Sequence, residues 1–332
     1  GELNPPDATL IDGRGAFLSP GWVDAQTSLP DPGHEHREDL TSLTSTAQAG
    51  GFTRLICQAD SEPPLDQADR LRAVAGRAQS LPAKLHFMGC ATLERAGERM
   101  APLAELQAAG AVAFSDSPAL GMPPALLSRL LLYVQPFDGL LVLSPLEPSL
   151  VAGTLANESP ATTALGLRGS PNLAEELAIS TALKVLAYTG GRLHLSPIST
   201  REGVNLLRQA KADGLAVTAG TAPHYLALTD DRLASFDARD KFLPPLRTEA
   251  DRQALIAGIA EGSIDCVGSF HTPFAPEEKD LEFERAAAGA IGLQTVFPVL
   301  HRALVKEGPL SLTELCHLLA SHPRRCFGLP AA

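Results

Sequence analysis

No run of apolar residues in this chain of 332 approaches the roughly 18 needed to span a bilayer. The apolar stretch 130–134 is too short, and Pro136 follows it closely. The N-terminus lacks the basic-then-apolar pattern of a secretory leader. The five cysteines (Cys57, Cys90, Cys266, Cys316, Cys326) lie far apart in sequence and form no CxxC pair. Their odd number and mostly apolar settings fit buried thiols in a reducing cytoplasm better than a disulfide framework. There is no GxGxxG turn, no GxSxG elbow, no legible Cys–His pairing, no internal repeat, no heptad series and no low-complexity tail. The net charge of −11 argues against a general nucleic-acid partner.

What is present is an alternation. Apolar residues make up 45% of the chain, ordinary for a globular protein, and the length suits one α/β barrel. Eight short apolar runs, at 21–28, 52–59, 84–91, 111–116, 139–145, 192–198, 215–221 and 264–270, read as strands. Several are apolar on both alternating faces, as strands covered on both sides must be. Helical periodicity fills the intervals at 38–49, 66–79, 123–134, 173–188, 201–212 and 249–261. Repeated strand–helix units imply a parallel sheet, and eight of them imply closure into a (β/α)8 TIM barrel. An open doubly wound sheet is the runner-up, but it would want a glycine-rich phosphate turn after an early strand. Pro63-Pro64, Pro123-Pro124 and Pro244-Pro245 mark loops.

Several segments, taken in order, carry a resemblance. They are Asp31-Pro32-Gly33 with Glu38-Asp39, then Ala49-Gly50-Gly51-Phe52-Thr53, Ala174-Glu175-Glu176, Ile198-Ser199-Thr200, Pro223-His224, Pro244-Pro245-Leu246-Arg247, Ile264-Asp265-Cys266, and Gly289-Ala290-Ile291-Gly292-Leu293-Gln294-Thr295. Together they resemble the dihydroorotases of the amidohydrolase superfamily, from about residue 21 to residue 329. The last segment is the most specific. The resemblance implies a metal-dependent hydrolase barrel. Active members hold two metal ions at its mouth and interconvert carbamoyl aspartate and dihydroorotate. That chemistry uses a metal-activated water, a Lewis acid at the carbonyl and a proton-shuttling aspartate.

At the strand ends the chain departs from that pattern. The family's first strand ends Asp-x-His-x-His-Leu-Arg; here it reads Asp24-Ala25-Gln26-Thr27-Ser28-Leu29-Pro30. Gln26 and Ser28 stand for two metal-binding histidines, and Pro30 for the arginine that holds the substrate carboxylate. The family's Met-Pro-Asn-Thr turn reads Gln58-Ala59-Asp60-Ser61, so Asp60 puts a carboxylate near an anionic substrate. The strand-five histidine aligns at Pro145, and the aspartate that precedes it in some members at Ser144. The strand-six histidine aligns at Pro197. Asp-His-Ala-Pro-His on strand eight reads Phe270-His271-Thr272-Pro273-Phe274. The shuttling aspartate thus becomes Phe270, expected to fill the cavity with apolar bulk, and the final substrate-contacting histidine becomes Phe274. A first-row metal needs about three or four donor side chains, and proline and phenylalanine supply none. Pro145 and Pro197 also belong at strand ends, where a missing ladder donor is tolerated.

Other residues could imitate a site. His34-Glu35-His36 forms an HxH in what reads as a solvated loop. A displaced metal site there would need His271 or His224 to converge on it. His271 and His224 read as residual mouth residues acting as structural hydrogen-bonders. His194 reads as packed inside strand six, and His86 lies in strand three without a partner motif. Asp116 reads as a turn or cap residue, and Cys57 and Cys266 as core thiols.

The expectation is therefore a (β/α)8 barrel of the dihydroorotase type over 21–332, catalytically inactive and without metal or other cofactor. Residues 1–20, with Thr9-Leu10-Ile11-Asp12 as a remnant strand, stand for an accessory β-sandwich that is otherwise largely missing. The resemblance implies a cytoplasmic pyrimidine-biosynthesis protein with a structural or assembly role beside aspartate carbamoyltransferase; a homodimer is a further option. One alternative is a divergent cyclic-amide hydrolase using zinc on His34, His36 and His271. Another is a small-ligand-binding module.

Overall fold

Eight parallel strands surround the centre of the computed structural model, which describes residues 12–331. They are β1 (Trp22–Thr27), β2 (Phe52–Cys57), β3 (Lys84–Gly89), β4 (Ala113–Phe114), β5 (Leu140–Leu143), β8 (Arg192–Leu195), β9 (Val217–Thr221) and β10 (Cys266–Val267), hydrogen-bonded in that order. β6 (Ala156–Asn157) and β7 (Gly169–Ser170) pair only with each other, in an excursion after β5 that sequence periodicity did not suggest. The sheet closes at the strand C-termini. Phe270 N–H donates to the Gln26 carbonyl, and Ser28 N–H to the His271 carbonyl, each at 3.0 Å. The remnant strand expected at residues 9–11 lies outside the described residues.

The alternation of apolar residues along each strand explains the two layers. Val23, Ala25, Ile56, Met88, Ala113, Leu140, Val142 and Cys266 form a cluster inside the barrel. Their neighbours Leu55, Cys57, Phe87, Leu141, Leu143, Leu193 and Leu195 pack outward with the helices. Strands buried on both faces must be apolar on both faces.

The helices start where side chains cap them. Asp39 accepts from Ser42 N–H before the helix Leu40–Ala49, and Thr200 from Gly203 N–H before Arg201–Ala212. Thr248 with Asp251, and Ser311 with Glu314, close capping boxes before Glu249–Glu261 and Leu312–Cys326. Each such cap is worth about 1 kcal/mol. The last helix covers β1 and β10 and ends by placing Cys326 and Phe327 in the interior cluster, so it plugs the barrel at the end opposite the mouth. Among the described residues no helix is long and apolar enough to cross a membrane.

One close approach ties two of the resemblance-bearing segments together. A Cβ on Gly50 would lie 2.3 Å from the Leu293 carbonyl oxygen, so only glycine lets the end of the first helix rest on the Gly289–Thr295 segment.

Candidate functional site

The strand C-termini frame a cavity of 310 Å³. Its walls include Asp60, Ser144, Pro145, Pro197, Phe270 and Phe274. Six of the sequence-aligned mouth positions thus converge there, while Gln26, Ser28 and Pro30 lie outside the lining. Phe270 lines the cavity and does not fill it, contrary to expectation, and its backbone takes a left-handed φ of 49°. A larger groove of 860 Å³, lined by Arg54, His86 and Arg324 among others, lies at the opposite end of the barrel and gathers none of the mouth positions.

Most polar groups of the mouth bond one another. Gln26 Nε2 donates to Ser117 Oγ at 3.3 Å, and Ser117 Oγ lies 2.7 Å from Ser144 Oγ. This chain of neutral groups runs across the ends of β1, β4 and β5. Gln26 Oε1 is buried without a hydrogen-bond partner among the described residues. Ser28 Oγ donates to Asp60 Oδ2 at 2.7 Å, and Leu29 N–H to Asp60 Oδ1 at 2.8 Å. Burial raises the Asp60 carboxyl above its usual range, against the lowering effect of those two bonds. The Pro30 carbonyl accepts from His34 N–H at 2.7 Å. Phe274 carries the Arg37 guanidinium 5.1 Å from its ring centre, a cation–π contact at the rim.

His271 is buried, and both its ring nitrogens are engaged. Nδ1 accepts from Gly292 N–H at 3.0 Å, which leaves the proton on Nε2 to bond Glu38 Oε2 at 2.9 Å. Its structural reading fits this geometry. His224 does not hydrogen-bond as expected. It stacks on Phe242, ring centres 4.1 Å apart and 11° from parallel, and has no side-chain hydrogen bond among the described residues. Loss of water pushes its imidazole down to about 3, so it is neutral at physiological pH. His34 and His36 sit on the surface loop with ring centres 6.0 Å apart. They do not converge with His271: among the described residues the one group of three potential ligands is His194, Cys266 and Cys326 at the other end of the barrel. Two cysteines far apart in sequence, Cys266 and Cys326, are thus brought together, because the last helix folds back under the strand that carries Cys266.

Around the mouth, charged side chains hold backbone. Asp24 accepts from Ser269 N–H and Oγ–H, each at 2.5 Å, binding β1 to the segment after β10. Burial raises Asp24 to about 6. Asp31 takes Arg77 Nη2 at 2.7 Å and Leu40 N–H at 3.2 Å. Glu175 accepts from Ser199 N–H at 2.9 Å and Thr200 N–H at 3.0 Å, and Arg247 reaches Asn157 and the Ser170 carbonyl at 2.9 Å each. Asp116 accepts from Thr92 N–H and Oγ–H, as a turn residue would. His86 pairs with Arg54 across β2 and β3 at 3.1 Å, a partner its sequence neighbourhood did not reveal.

No family model matches the chain. Relatives are nonetheless clear. A dihydroorotase of Carboxydothermus hydrogenoformans is 38% identical over 329 residues, spanning 99% of this chain and 76% of the relative. The chain belongs to the dihydroorotase family. A dihydroorotase of Syntrophotalea carbinolica is likewise 38% identical, over 333 residues, 99% of this chain and 77% of the relative. Among solved structures, the L-hydantoinase of Arthrobacter aurescens superposes with a TM-score of 0.86 at 24% identity, covering 98% of this chain and 75% of that one. The dihydropyrimidinase of Brevibacillus agri gives 0.82 at 21%, covering 99% and 75%. These two likenesses show the (β/α)8 barrel fold and nothing finer.

Set beside the dihydroorotase pattern, the retained and the altered segments separate by place. The retained ones (Asp31 and Glu38, Gly50, Glu175, Ser199-Thr200, Arg247, Gly292) are the groups that fasten loops and helices to strands. Of the positions that depart from the pattern, Asp60, Ser144, Pro145, Pro197, Phe270 and Phe274 line the cavity, and Gln26, Ser28 and Pro30 do not. The metal pair implied by the family does not fit this donor set. Among the described residues Asp60 is the sole carboxylate lining the cavity, and it is bonded to Ser28 and Leu29. The cavity's imidazole is His224, stacked face to face on Phe242.

Proposed function

We propose that this chain is a non-catalytic member of the dihydroorotase family, acting in the cytoplasm as a structural or assembly partner of aspartate carbamoyltransferase. The observation that carries the first half is the identity of the residues at the strand ends. Gln26, Ser28, Pro145, Pro197 and Phe270 stand at the positions that the resemblance aligns with metal ligands and the proton shuttle, and the last three line the cavity. Two prolines and a phenylalanine offer no donor atom, and the amide and hydroxyl are poor ligands for a first-row metal. The mouth would also bind a carbamoyl aspartate dianion poorly: Pro30 replaces the carboxylate-binding arginine, and Asp60 adds a carboxylate. The assembly role rests on the resemblance and on the physical fact that a barrel's outer helices can hold a partner whether or not its mouth reacts. Co-expression with the carbamoyltransferase of the same organism, followed by size-exclusion with light scattering, tests it. Co-elution at a fixed stoichiometry supports the role. Separate elution at micromolar concentrations, or a homodimer only, contradicts it.

A second reading is favoured by the relatives. Curated dihydroorotases at 38% identity over 99% of the chain suggest a cyclic-amide hydrolase that works with a rearranged site. It would need zinc at the mouth held by groups such as His34, His36 and His271, and turnover of dihydroorotate. The open 310 Å³ cavity favours a third, a small-ligand module, for which a saturable thermal shift is the test.

A further inference from the structure

Beneath the mouth, inside the barrel, lies a group of side chains that the family site does not include. His194 on β8, Cys266 on β10 and Cys326 at the end of the last helix are 1%, 0% and 5% exposed, and one donor atom from each lies within 4.8 Å of the others. His194 Nδ1 is fixed at 2.8 Å from Thr218 Oγ1 on the neighbouring strand, which leaves Nε2 to face inward. Gly220 opens the space beside it. A Cβ there would lie 3.1 Å from His194 Nε2 and 3.4 Å from Cys266 Sγ. Phe327, with its ring centre 5.2 Å from that of His194, covers the group from below. Both cysteines are free thiols.

We propose that His194 Nε2, Cys266 Sγ and Cys326 Sγ bind one zinc ion that staples the last helix to the base of the barrel. Three soft or borderline donors within 4.8 Å of one another are near enough for side-chain adjustment to draw them onto one tetrahedral zinc ion, with bonds of about 2.0–2.1 Å to nitrogen and 2.3 Å to sulfur. The outer contact to Thr218 is the kind that orients a ligating imidazole. Charge decides between metals. Zinc with two thiolates and a neutral imidazole has no net charge, whereas a monovalent copper ion would leave one negative charge in an apolar core. Binding converts two thiols to two thiolates and releases two protons for each zinc bound. The hydrogen bond with the Cys326 sulfur, and then burial, hold the Cys266 thiol above its usual range without a cation, so its proton leaves on metal entry at neutral pH. Burial also holds His194 at about 3, neutral and ready to ligate. The ligands come from β8, β10 and the terminal helix, so the ion would fasten the chain end to both strands.

The test uses the full chain, reduced and freed of metal, with cobalt as the spectroscopic probe. Titration of the metal-free chain should bind one cobalt with release of two protons and a thiolate-to-cobalt charge-transfer absorption, and zinc should then displace the cobalt with no further proton release. The absorption should vanish in Cys266→Ser and in Cys326→Ser and survive in His36→Ala. An absorption that survives both cysteine changes, cobalt bound without a sulfur signature, or no cobalt bound would overturn the proposal. So would a Cys266–Cys326 disulfide in the protein as purified, before any reductant is added. If the serine variants do not fold, X-ray absorption at the zinc edge of the unaltered chain decides. Two sulfur neighbours near 2.3 Å support the site, and a shell of only nitrogen and oxygen refutes it. The sulfur signature separates this site from any metal at the mouth, so its failure leaves the preceding functional reading untouched.

Discussion

His271 Nε2 sits 2.9 Å from the Glu38 carboxylate, while its Nδ1 takes the Gly292 N–H at 3.0 Å. A histidine beside the mouth of a hydrolase barrel is thus bound on both sides to scaffold. It joins the loop after β1, the segment after β10 and the Gly289–Thr295 turn.

This pair predicts a stability role. His271→Ala strands a buried carboxylate and a backbone N–H, and should cost about 2–4 kcal/mol in urea unfolding. A loss below about 0.5 kcal/mol would mean that the pair is dispensable.

Asp24 predicts a pH dependence. Its carboxyl is raised to about 6 because burial outweighs the two bonds from Ser269. A raised acid favours the fold most while protonated. Measured against Asp24→Asn, the unaltered chain should therefore hold its greatest advantage below pH about 4. It should lose that advantage, on the order of 3 kcal/mol, as pH rises through about 6. Chemical denaturation at pH 4, 5, 6 and 7 reads this directly. A constant difference would show that Asp24 titrates normally.

Phe270 predicts a reversal of the usual ranking of substitutions. Its φ of 49° is costly for any residue with a Cβ. Phe270→Gly should therefore be more stable than Phe270→Ala by about 1 kcal/mol, although glycine loses more chain entropy on folding. Equal stabilities would show that the backbone relaxes.

Glu175 and Arg247 hold the loop after β8. The Glu175 carboxylate accepts from Ser199 and Thr200, and Arg247 Nε donates to Ser199 Oγ at 3.2 Å. Glu175→Ala should cost about 3–5 kcal/mol, since it leaves the Ser199 and Thr200 amides and the Arg247 charge buried. The double change with Arg247→Met should cost less than the two single losses added together. Strict additivity would mean that the two groups are not coupled.

Much of this was legible in the sequence, and the rest was hidden for identifiable reasons. The barrel strands stood out because several are apolar on both faces, and helices such as Arg201–Ala212 begin at the expected residues because a threonine caps them. The mouth substitutions are read from the family resemblance, and six of those positions, Asp60, Ser144, Pro145, Pro197, Phe270 and Phe274, line one cavity. The two-residue strands β6 and β7 were not legible, being too short for any periodicity. Nor was the stacking of His224 on Phe242, which depends on a loop crossing from another part of the chain. His194, Cys266 and Cys326 belong to three distant elements, and each alone looks like core.

The central claim is that this dihydroorotase-type mouth no longer turns over its family's substrate. The most direct measurement is steady-state interconversion of carbamoyl aspartate and dihydroorotate by the purified chain, with zinc supplied and a host-derived blank subtracted. The expected result is no rate above the blank in either direction. A rate that co-elutes with the chain, scales with its concentration and falls on His36→Ala would contradict it, and would place a working metal centre on the His34–His36 loop.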